Sequence, residues 1–481
     1  MSASDLSAAG LLAGDAWDIA AAVRGGAVSA AAVTAAVLDR IARLNPVVNA
    51  FTDVTADRAR EEAAALDARI AAGVAPGPLA GVPVAVKNLF DIRGLPTRAG
   101  SRINRERAPA AADAVLLQRL GAAGAVLVGG LNMGEYAYDF TGENAHDGAC
   151  RNPHDPARMS GGSSSGCGAA TAAGLAPLSL GSDTNGSIRV PSSLCGIFGL
   201  KPTYGRLTRH GSFPFCDSLD HLGPFARSVR DLALVFDTLQ GPAAGDHACA
   251  GRPVEPTLPA LTEGIAQGIA QGIEGLRIAV AGGYFARGGL AVAHAAVERA
   301  AAALGTDRVV EVPGAALGRA AAYIITNAES SAFHLDRLRR RAGDFDPDTR
   351  DRFLAGALLP ASWYVQAQRV RRWYHDQVLA LFGDVDVLLA PATPCPAPLV
   401  GQKTMVLDGQ ELPVRPHLGL FTQPISCIGL PVCAVPMALP GELPIGIQVI
   451  AAPWREDRCL RVAAELERLG LARAPLAEVV A

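Results

Sequence analysis

One stretch of small residues, at 158–206, most constrains how this chain can fold. It reads RMSGGSSSGCGAATAAGLAPLSLGSDTNGSIRVPSSLCGIFGLKPTYGR, and glycine, serine and alanine dominate it. Where side chains are this small, backbone segments can approach each other or a substrate closely, and glycine reaches conformations that other residues adopt only with strain. The stretch holds a serine cluster at 163–165 and a lone serine, Ser187, with room for a helix and a strand between them. This composition is typical of a functional site.

The apolar residues around this stretch alternate between helical and strand spacing. Ser29 is predicted to cap a helix that Asn45 and Pro46 close. Further helices are predicted at 57–72, 112–123, 166–173 and 231–239, and strands at 82–86, 125–128 and 176–180. The alternation predicts one large α/β domain over 1–481, with a central twisted mixed sheet and helices on both faces.

The C-terminal half continues this alternation. Strands are predicted at 276–281, at 385–390 and twice within 425–450, and helices at 291–304, over most of 320–382 and at 455–469. The basic run 337–341 is predicted to be a solvated helix face. Residues 241–275 are rich in Gly, Pro and Glu and repeat GIAQ, which predicts a surface insertion.

Charge and cysteine usage exclude several classes of function. The net charge is −3 and the pI is about 6.3, which gives no basic surface for nucleic acid or for an anionic membrane. The first residues lack the basic and apolar regions of a signal peptide, and no later window is apolar enough for a membrane span, so a cytoplasmic protein is predicted. Nine cysteines without a CxxC pair argue against a disulfide framework and against a zinc site, and no metal site is predicted.

The serine cluster contains the pattern GxSxG, from Gly162 to Gly166. A nucleophile elbow needs a hydrophobic strand before it and a histidine partner, but the preceding segment, RNPHDPARMS, is polar and broken by proline. A phosphate-binding loop needs Lys-Ser or Lys-Thr after its glycines, and none follows here. The apolar helix and strand that come next argue against a flexible linker. A serine nucleophile that works without histidine is the favoured interpretation.

Such a serine needs another base, and a lysine can serve when burial keeps it neutral. Lys87 follows the apolar run at 82–86 and is the candidate. A lone lysine at a strand end is more often a solvated charge, so Lys87 gains weight only beside the serine stretch.

Several segments together resemble one family. GGSSSG and GSDTNGSIRVPSSLCGIFGLKPT, with GVPVAVKNLFD around Lys87, are similar to the amidase signature family of serine hydrolases. VNAFT, LNMGEYA, SLDHLGPFARSV, APATP and PIGIQVIAAPWRED are similar to family segments in the same order, so the resemblance covers nearly the whole chain, with a signature core at about 75–240. It implies the amidase signature fold and an amidase that needs no cofactor.

The resemblance also implies a triad of serine, cis-serine and lysine. It makes Ser187 the nucleophile, Ser163 the bridging residue with a cis peptide bond before it, and Lys87 the base, acting through an acyl-enzyme. Backbone N–H groups of one tight loop are expected to form the oxyanion hole: Thr184, Asn185, Gly186 and Ser187. Two positions depart from the family pattern. Asn185 and Ser165 stand where glycine is common; asparagine tolerates left-handed geometry, and Ser165 falls at a predicted helix start.

Asn185 narrows the resemblance further. DTNGSIRVP, ADAVLLQRL, SFPFCDSLDHLGPFARS and AAPWRED are most similar to the branch of the family that hydrolyses 1-carboxybiuret, a ureide. That resemblance implies cleavage of a urea-type C–N bond with release of ammonia. Polar residues are then expected near the small-molecule substrate: Tyr138, Asp139, Asn144 and Gln423. The sequence does not identify a cation for the substrate's carboxylate.

Two other activities stay open at this point. One is hydrolysis of other amides or carbamates, such as aryl amides and urethanes, and the other is the role of an A-type subunit in a transfer-RNA-dependent amidotransferase. Three filled triad positions favour an enzyme over an inactive scaffold. Both the ureide branch and the amidotransferase branch pair the large subunit with a small helical one, so the resemblance implies such a partner for this chain. Homodimer formation also stays open.

Overall fold

A mixed sheet of eleven strands forms the centre of the chain in the ranges that the structure describes. The structure is a computed structural model, and it describes residues 7–261, 272–439 and 441–479. In chain order the strands of this sheet are β1 (Phe51–Val54), β2 (Pro83–Lys87), β3 (Val126–Leu131), β4 (Leu178–Asp183), β5 (Phe198–Lys201), β6 (His221–Ala226), β7 (Ile278–Gly282), β8 (Val309–Glu311), β9 (Val387–Pro391), β10 (Val432–Met437) and β11 (Ile445–Ala451). Their order across the sheet is β1-β3-β2-β4-β6-β5-β10-β11-β9-β7-β8.

Parallel and antiparallel pairs both occur in this sheet. β2 is parallel to β3 and β4, and β7 is parallel to β8 and β9, whereas the other neighbours are antiparallel. Every residue of β10 and β11 is buried, so both faces of the sheet are covered there. Two helices, Arg189–Cys195 and Glu456–Arg468, contact these strands. The predicted α/β fold with a central mixed sheet is confirmed.

Helices flank the sheet along the whole described chain. The α-helices are Ala8–Leu11, Ala16–Arg24, Ala30–Val48, Ala56–Ala71, Val115–Ala122, Ser165–Ala172, Arg189–Cys195, Val229–Leu239, Ala291–Ala303, Ala315–Arg341, Pro347–Ala357, Ala361–Leu381, Val414–His417, Gln423–Cys427 and Glu456–Arg468. Short 3-10 turns lie at Ile103–Glu106, Glu135–Ala137, Gly283–Ala286 and Ala342–Asp344. Two hairpins outside the sheet pair Arg151–Asn152 with Asp155–Met159 and Thr404–Leu407 with Gln410–Pro413.

The helix Ala30–Val48 confirms one prediction and corrects another. Ser29 caps it, because its hydroxyl accepts a hydrogen bond from the N–H of Ala32 at 3.1 Å. The helix does not close at Asn45 and Pro46, however, since Pro46 lies within its last turns. A proline so near the end removes only one intrahelical hydrogen bond, and burial of Val48 in the core outweighs that loss.

The structure contains several elements that the hydrophobic pattern of the sequence does not predict. It does not predict β1, β5, β6, β8 or the helix Arg189–Cys195. β5 and β6 are buried at every residue, so they lack the alternation that marks a half-exposed strand. β4 lies at Leu178–Asp183 rather than at 176–180. Its last three residues, Gly181, Ser182 and Asp183, are small or polar, so the sequence pattern does not mark them as part of a strand.

Two predicted surface features have different outcomes. Residues 262–271 of the predicted insertion lie outside the described residues. The basic run 337–341 is a solvated face only in part. Arg339 and Arg340 are exposed, but the Arg337 guanidinium lies over the rings of Tyr136 and Phe213, at 5.8 and 5.4 Å from their centroids. Rings that pack under a guanidinium attract it through their negative faces, which holds Arg337 against the core.

Most of the cysteines are buried. All nine cysteines are free thiols, and all but Cys249 are buried, as predicted for small apolar side chains. None of the helices in the described ranges has the length and hydropathy that crossing a bilayer requires.

Candidate active site

The side chains of Lys87, Ser163 and Ser182 meet where two parallel strands end side by side. β2 and β4 are parallel neighbours with Val86 opposite Leu180, so their C-terminal ends lie at one edge. Lys87 is the last residue of β2, and Ser182 is the penultimate residue of β4. The Lys87 Nζ lies 2.8 Å from the Ser182 Oγ and also 2.8 Å from the Ser163 Oγ. The lysine amine is therefore held between two serine hydroxyls.

Burial determines the charge state of this lysine. Lys87 has 0% of its surface exposed, and this burial lowers the pKa of Lys87 from 10.5 to about 7. The negative charges of nearby groups, which include Asp220 and Asp183, raise the pKa of Lys87, but by less than burial lowers it. A large fraction of the Lys87 amines is consequently neutral near pH 7, which is the state in which an amine can accept a proton.

Ser163 sits on a loop whose glycines allow close approach. The peptide bond between Gly162 and Ser163 is cis. A Cβ at Gly162 would lie 2.9 Å from the Asp139 Oδ2, so a larger residue does not fit there. The carbonyl of Ser163 accepts a hydrogen bond from the N–H of Gly134 at 3.2 Å, and the helix Ser165–Ala172 begins two residues later. The Ser163 hydroxyl is thereby fixed against the lysine.

A buried ion pair supports the loop that delivers Ser187. Asp183 and Arg189 flank this loop and both are fully buried, with two hydrogen bonds of 3.0 Å between them. Arg189 also donates to the Thr422 carbonyl at 3.0 Å and to the Gln448 Oε1 at 2.6 Å. Burial alone would raise the pKa of Asp183, but the Arg189 charge outweighs it and holds that pKa below its usual range. The loop between the two residues is therefore anchored at both ends.

The loop from Thr184 to Ser187 is fixed by its side chains and carbonyls. The Thr184 hydroxyl donates to Asp220 at 2.6 Å, and the Thr422 hydroxyl donates to the Asn185 carbonyl at 2.7 Å. Gly186 has a φ of 140°, and a Cβ there would lie 2.1 Å from the Thr422 Oγ1, so this position requires glycine. In the described part of the chain, no backbone N–H of residues 184–187 donates to a protein acceptor. These N–H groups are available to an oxygen of a substrate.

A small cavity opens beside Ser187. The residues that line it come from six parts of the chain: Ala137, Tyr138, Asp139, Phe140, Thr184, Asn185, Ser187, Phe215, Tyr323, Thr326, Arg352 and Gln423. Of the residues that the sequence places near the substrate, Tyr138, Asp139 and Gln423 line this cavity.

Asn144 is not among the lining residues, and its side chain has another role. Its Nδ2 donates to the carbonyls of Gly100 and Met133, each at 2.8 Å. Its Oδ1 accepts from the N–H groups of His146 and Asp147. Because these four bonds use its hydrogen-bonding capacity, Asn144 organises the loop rather than presenting a free group to a substrate. Asn144 lies close to Tyr138 in the sequence, but this proximity does not show that only Tyr138 of the two lines the cavity.

Asp139 lines the cavity, but its carboxylate is engaged by the protein. It accepts hydrogen bonds from the N–H groups of Thr141 and Gly142 at 2.9 and 2.6 Å. It also pairs with Arg415. Gln423 is engaged as well, since its Oε1 accepts a hydrogen bond from the Nε of Arg319 at 2.8 Å. The negative charge of Asp139 is thus compensated outside the cavity.

Arg352 lines the cavity and is a cation that the sequence does not identify as a site residue. It comes from the helix Pro347–Ala357, its guanidinium lies 3.6 Å from the centroid of the Tyr138 ring, and its Nη1 donates to the Tyr138 carbonyl at 3.0 Å. In the described ranges it forms no ion pair with a carboxylate, and it is half-buried. Nothing in the segment DTRDRF distinguishes Arg352 from the neighbouring Arg350, which pairs with Asp351 on the surface.

No group of three or more His, Cys, Asp or Glu side chains in the described ranges is arranged to hold a metal ion. The fold brings Lys87 together with the hydroxyls of Ser163 and Ser182, and Ser187 lines the cavity with a loop whose backbone N–H groups have no protein acceptor in the described ranges. A partly neutral amine can remove a proton from a serine hydroxyl. Unpaired backbone N–H donors can stabilise the oxyanion that forms.

The fold and this site define a class of hydrolases. Residues 32–460 match the family model described as Amidase. The chain therefore belongs to the amidase signature family and is a hydrolase that acts on C–N bonds other than peptide bonds.

Particular relatives narrow this class. The chain is 54% identical over 454 residues to AtzE of Pseudomonas sp. (strain ADP), a 1-carboxybiuret hydrolase subunit, and the match covers 94% of this chain and 97% of that protein. It is 36% identical to the A-type subunit of the Glutamyl-tRNA(Gln) amidotransferase of Roseiflexus sp. (strain RS-1), over 92% of this chain and 94% of that protein.

Solved structures agree. A vestigial protein complex that reveals the evolutionary origins of an s-triazine catabolic enzyme contains a chain with a TM-score of 0.93 and 53% identity, covering 96% of this chain and 100% of that one. A bacterial aryl acylamidase of the amidase signature family has a TM-score of 0.85 and 26% identity, covering 95% and 96%.

Proposed function

We propose that the protein hydrolyses its substrate through Ser187, Ser163 and Lys87. The observation that carries this proposal is the 2.8 Å contact between the Lys87 Nζ and the Ser163 Oγ in a fully buried setting that lowers the pKa of Lys87. A neutral Lys87 takes the proton of Ser163, and Ser163 takes the proton of Ser187 as the Ser187 Oγ attacks the carbonyl carbon. Ser182 holds the lysine amine from its other side at 2.8 Å.

The next steps use the backbone of the same loop. The N–H groups of residues 184–187 stabilise the oxyanion, and each such donor contributes about 3 kcal/mol to the stability of the transition state. The proton then returns through Ser163 to the leaving nitrogen, the C–N bond breaks, and ammonia departs. A water molecule attacks the acyl-enzyme by the same relay and releases Ser187.

The substrate that fits best is a small anionic ureide, 1-carboxybiuret or a close analogue. Arg352 lines the same cavity as Ser187 and has no carboxylate partner in the described ranges, and Asp139 is compensated by Arg415. A carboxylate is the partner that a guanidinium fork recognises through two parallel hydrogen bonds. The 54% identity to a 1-carboxybiuret hydrolase subunit supports the same substrate class. Aryl amides and urethanes, and glutamine in an amidotransferase, are the competing substrates.

A substrate panel tests this proposal. Ammonia release is measured for 1-carboxybiuret, for an uncharged ureide, for glutamine and for an aryl amide, with Ser187→Ala as the blank for each. The expected order of kcat/KM places 1-carboxybiuret first. Efficient hydrolysis of the aryl amide or of glutamine, with no ammonia from either ureide, overturns the proposal.

We also propose that the chain functions with a small helical partner subunit. Two of its relatives are named as subunits, and one structural neighbour is a protein complex. Light scattering of the chain alone, and of the chain co-expressed with small proteins from neighbouring genes, distinguishes a hetero-oligomer from a homodimer. A monomer that reaches full activity with no added protein contradicts the proposal.

A further inference from the structure

Asn185 carries a buried acceptor that the protein itself leaves unpaired. The residue is 7% exposed and lines the cavity together with Ser187. Its Nδ2 donates to the Thr326 Oγ1 at 2.9 Å. Its Oδ1 is fully buried and has no hydrogen-bond partner in the described part of the chain. An acceptor that is removed from water without a partner is unfavourable, so such a group in a cavity wall points to a ligand that donates to it.

The position of this carboxamide is fixed from two sides. On the backbone side, the Thr422 hydroxyl donates to the Asn185 carbonyl at 2.7 Å, and the adjacent Gly186 packs so closely on Thr422 that no Cβ fits. On the side-chain side, Thr326 of the helix Ala315–Arg341 holds the Nδ2. The Oδ1 therefore keeps one place relative to the free N–H groups of its own loop, which is the preorganisation that substrate discrimination needs.

The chemistry of the substrate indicates which of its N–H groups can donate to the Asn185 Oδ1. A carbonyl about to lose ammonia has the leaving nitrogen on one side and, in a ureide, a second N–H on the other. In a simple carboxamide that second position is carbon and donates nothing. Asn185 belongs to the loop proposed to bind the carbonyl oxygen, whose N–H groups at 184–187 have no protein acceptor in the described ranges, so its side chain is carried next to the proposed oxyanion donors.

We infer that the Asn185 Oδ1 accepts a hydrogen bond from the N–H on the acyl side of the scissile carbonyl, and that Asn185 thereby selects ureides over carboxamides of the same shape. The inference rests on the proposed ureide hydrolysis and deepens it. A site that hydrogen-bonds a substrate N–H rejects the analogue that lacks this group, because the acceptor then stays unpaired. Arg352 recognises the charge of the substrate, whereas Asn185 recognises its ureide nitrogen.

The test compares two substrates that differ at one group. One is 1-carboxybiuret, and the other is its analogue with a methylene in place of the N–H on the acyl side. The quantity measured is the ratio of kcat/KM for the ureide to kcat/KM for the analogue. In Asn185→Ala and Asn185→Gly this ratio is expected to fall by about 10- to 100-fold relative to the unchanged protein. Two variants are used so that a folding defect in one, seen in its melting temperature, leaves the other to decide.

A matched pair at Thr326 separates the acceptor from general loop order. Thr326→Val removes the partner of the Asn185 Nδ2 and is expected to lower the ratio, whereas Thr326→Ser keeps the hydroxyl and is expected to retain it. An unchanged ratio in both Asn185 variants overturns the inference, and so does an equal loss of kcat/KM for both substrates. If the unchanged protein releases ammonia from carboxamides and not from ureides, the proposed function falls together with the inference. Ureide hydrolysis with an unchanged ratio removes the inference alone.

Discussion

The two walls of the active site are built in opposite ways. The loop from Thr184 to Ser187 stands on Asp183 and Arg189, both with 0% side-chain exposure, and Arg189 has partners on three further residues. The facing wall is carried by the helices Ala315–Arg341 and Pro347–Ala357, where Tyr323 is 46% exposed and Arg352 has one protein carbonyl and one ring as partners.

This difference separates the chemistry from the choice of substrate. A buried charge that loses its partner costs the fold several kcal/mol, so the loop below Ser187 tolerates little change. A half-exposed side chain with few contacts can be replaced at a cost within about 0.5 kcal/mol of stability. We therefore expect changes at the catalytic and ion-pair residues of the first wall to abolish turnover or folding, and changes at Asn185 or in the second wall to alter which substrate is used.

The largest effect is expected from the proposed triad. Ser187→Ala and Lys87→Ala should each reduce kcat by about 10⁴-fold or more, and Ser163→Ala nearly as far, because residues that act as one unit lose almost all function together. The three variants should melt close to the temperature of the unchanged protein. Single-turnover ammonia release provides the measurement, and turnover that survives in Ser187→Ala contradicts the assignment.

The second expected effect is on stability. Arg189→Ala should lower the free energy of unfolding by about 3–5 kcal/mol, because it leaves the buried Asp183 carboxylate without a cationic partner, with hydrogen bonds only from the Ser426 hydroxyl and the Ile188 N–H. Arg60→Ala is the matched control, since its ion pair with Asp57 lies on the surface and its removal should cause no measurable change. Urea unfolding of both variants tests the contrast, which fails if the two variants shift alike.

A third effect should appear in specificity without a loss of stability. Arg352→Ala should reduce kcat/KM for 1-carboxybiuret by about 10- to 100-fold, since a charge-assisted hydrogen bond is lost, and should change kcat/KM for an uncharged ureide far less. Arg350→Ala, two residues earlier on the same helix and paired with Asp351, should leave both values unchanged. Equal losses for both ureides would show that Arg352 acts on the fold and not on the carboxylate.

The smallest effect concerns pH. Burial lowers the pKa of Lys87 to about 7, and only the deprotonated amine accepts a proton, so kcat/KM should rise tenfold per pH unit below pH 7 and level off above it. Lys201 is a second buried lysine whose pKa burial lowers to about 7, and its amine donates to the carbonyls of Pro202 and Leu430. Lys201→Met should keep the same rising limb. A limb that rises only through pH 10 contradicts the role of Lys87.

The sequence predicts the first wall much better than the second. Ser187, Ser163 and Lys87 stand in segments of small or apolar residues whose composition is unusual and therefore visible, and the structure places Lys87 and Ser163 in contact. The alternation of helices and strands likewise predicts most of the sheet, but it misses the edge strands β1 and β8 and the fully buried strands β5 and β6. β5 and β6 carry no alternation because both of their sides face the core.

Residues of the second wall reach the cavity only through tertiary packing. Tyr323, Thr326 and Arg352 lie more than a hundred positions from Ser187 and resemble ordinary helix residues. For Asn144 the sequence predicts a binding role that the structure does not support. Its position near Tyr138 suggests contact with the substrate, but its side chain makes four hydrogen bonds to backbone groups instead. A linear pattern records which face of a helix is apolar, but not which neighbour that face meets.

The segment 134–142 belongs to both walls. The N–H of Gly134 holds the carbonyl of Ser163, and Asp139 packs against Gly162, while Tyr138 supports Arg352 with its ring and its carbonyl. Descendants of such an enzyme can acquire new substrates by altering helix residues opposite this segment. An alteration of the segment itself disturbs the relay and the specificity together, so laboratory evolution toward other ureides should accumulate substitutions around 323–352 and leave 134–142 intact.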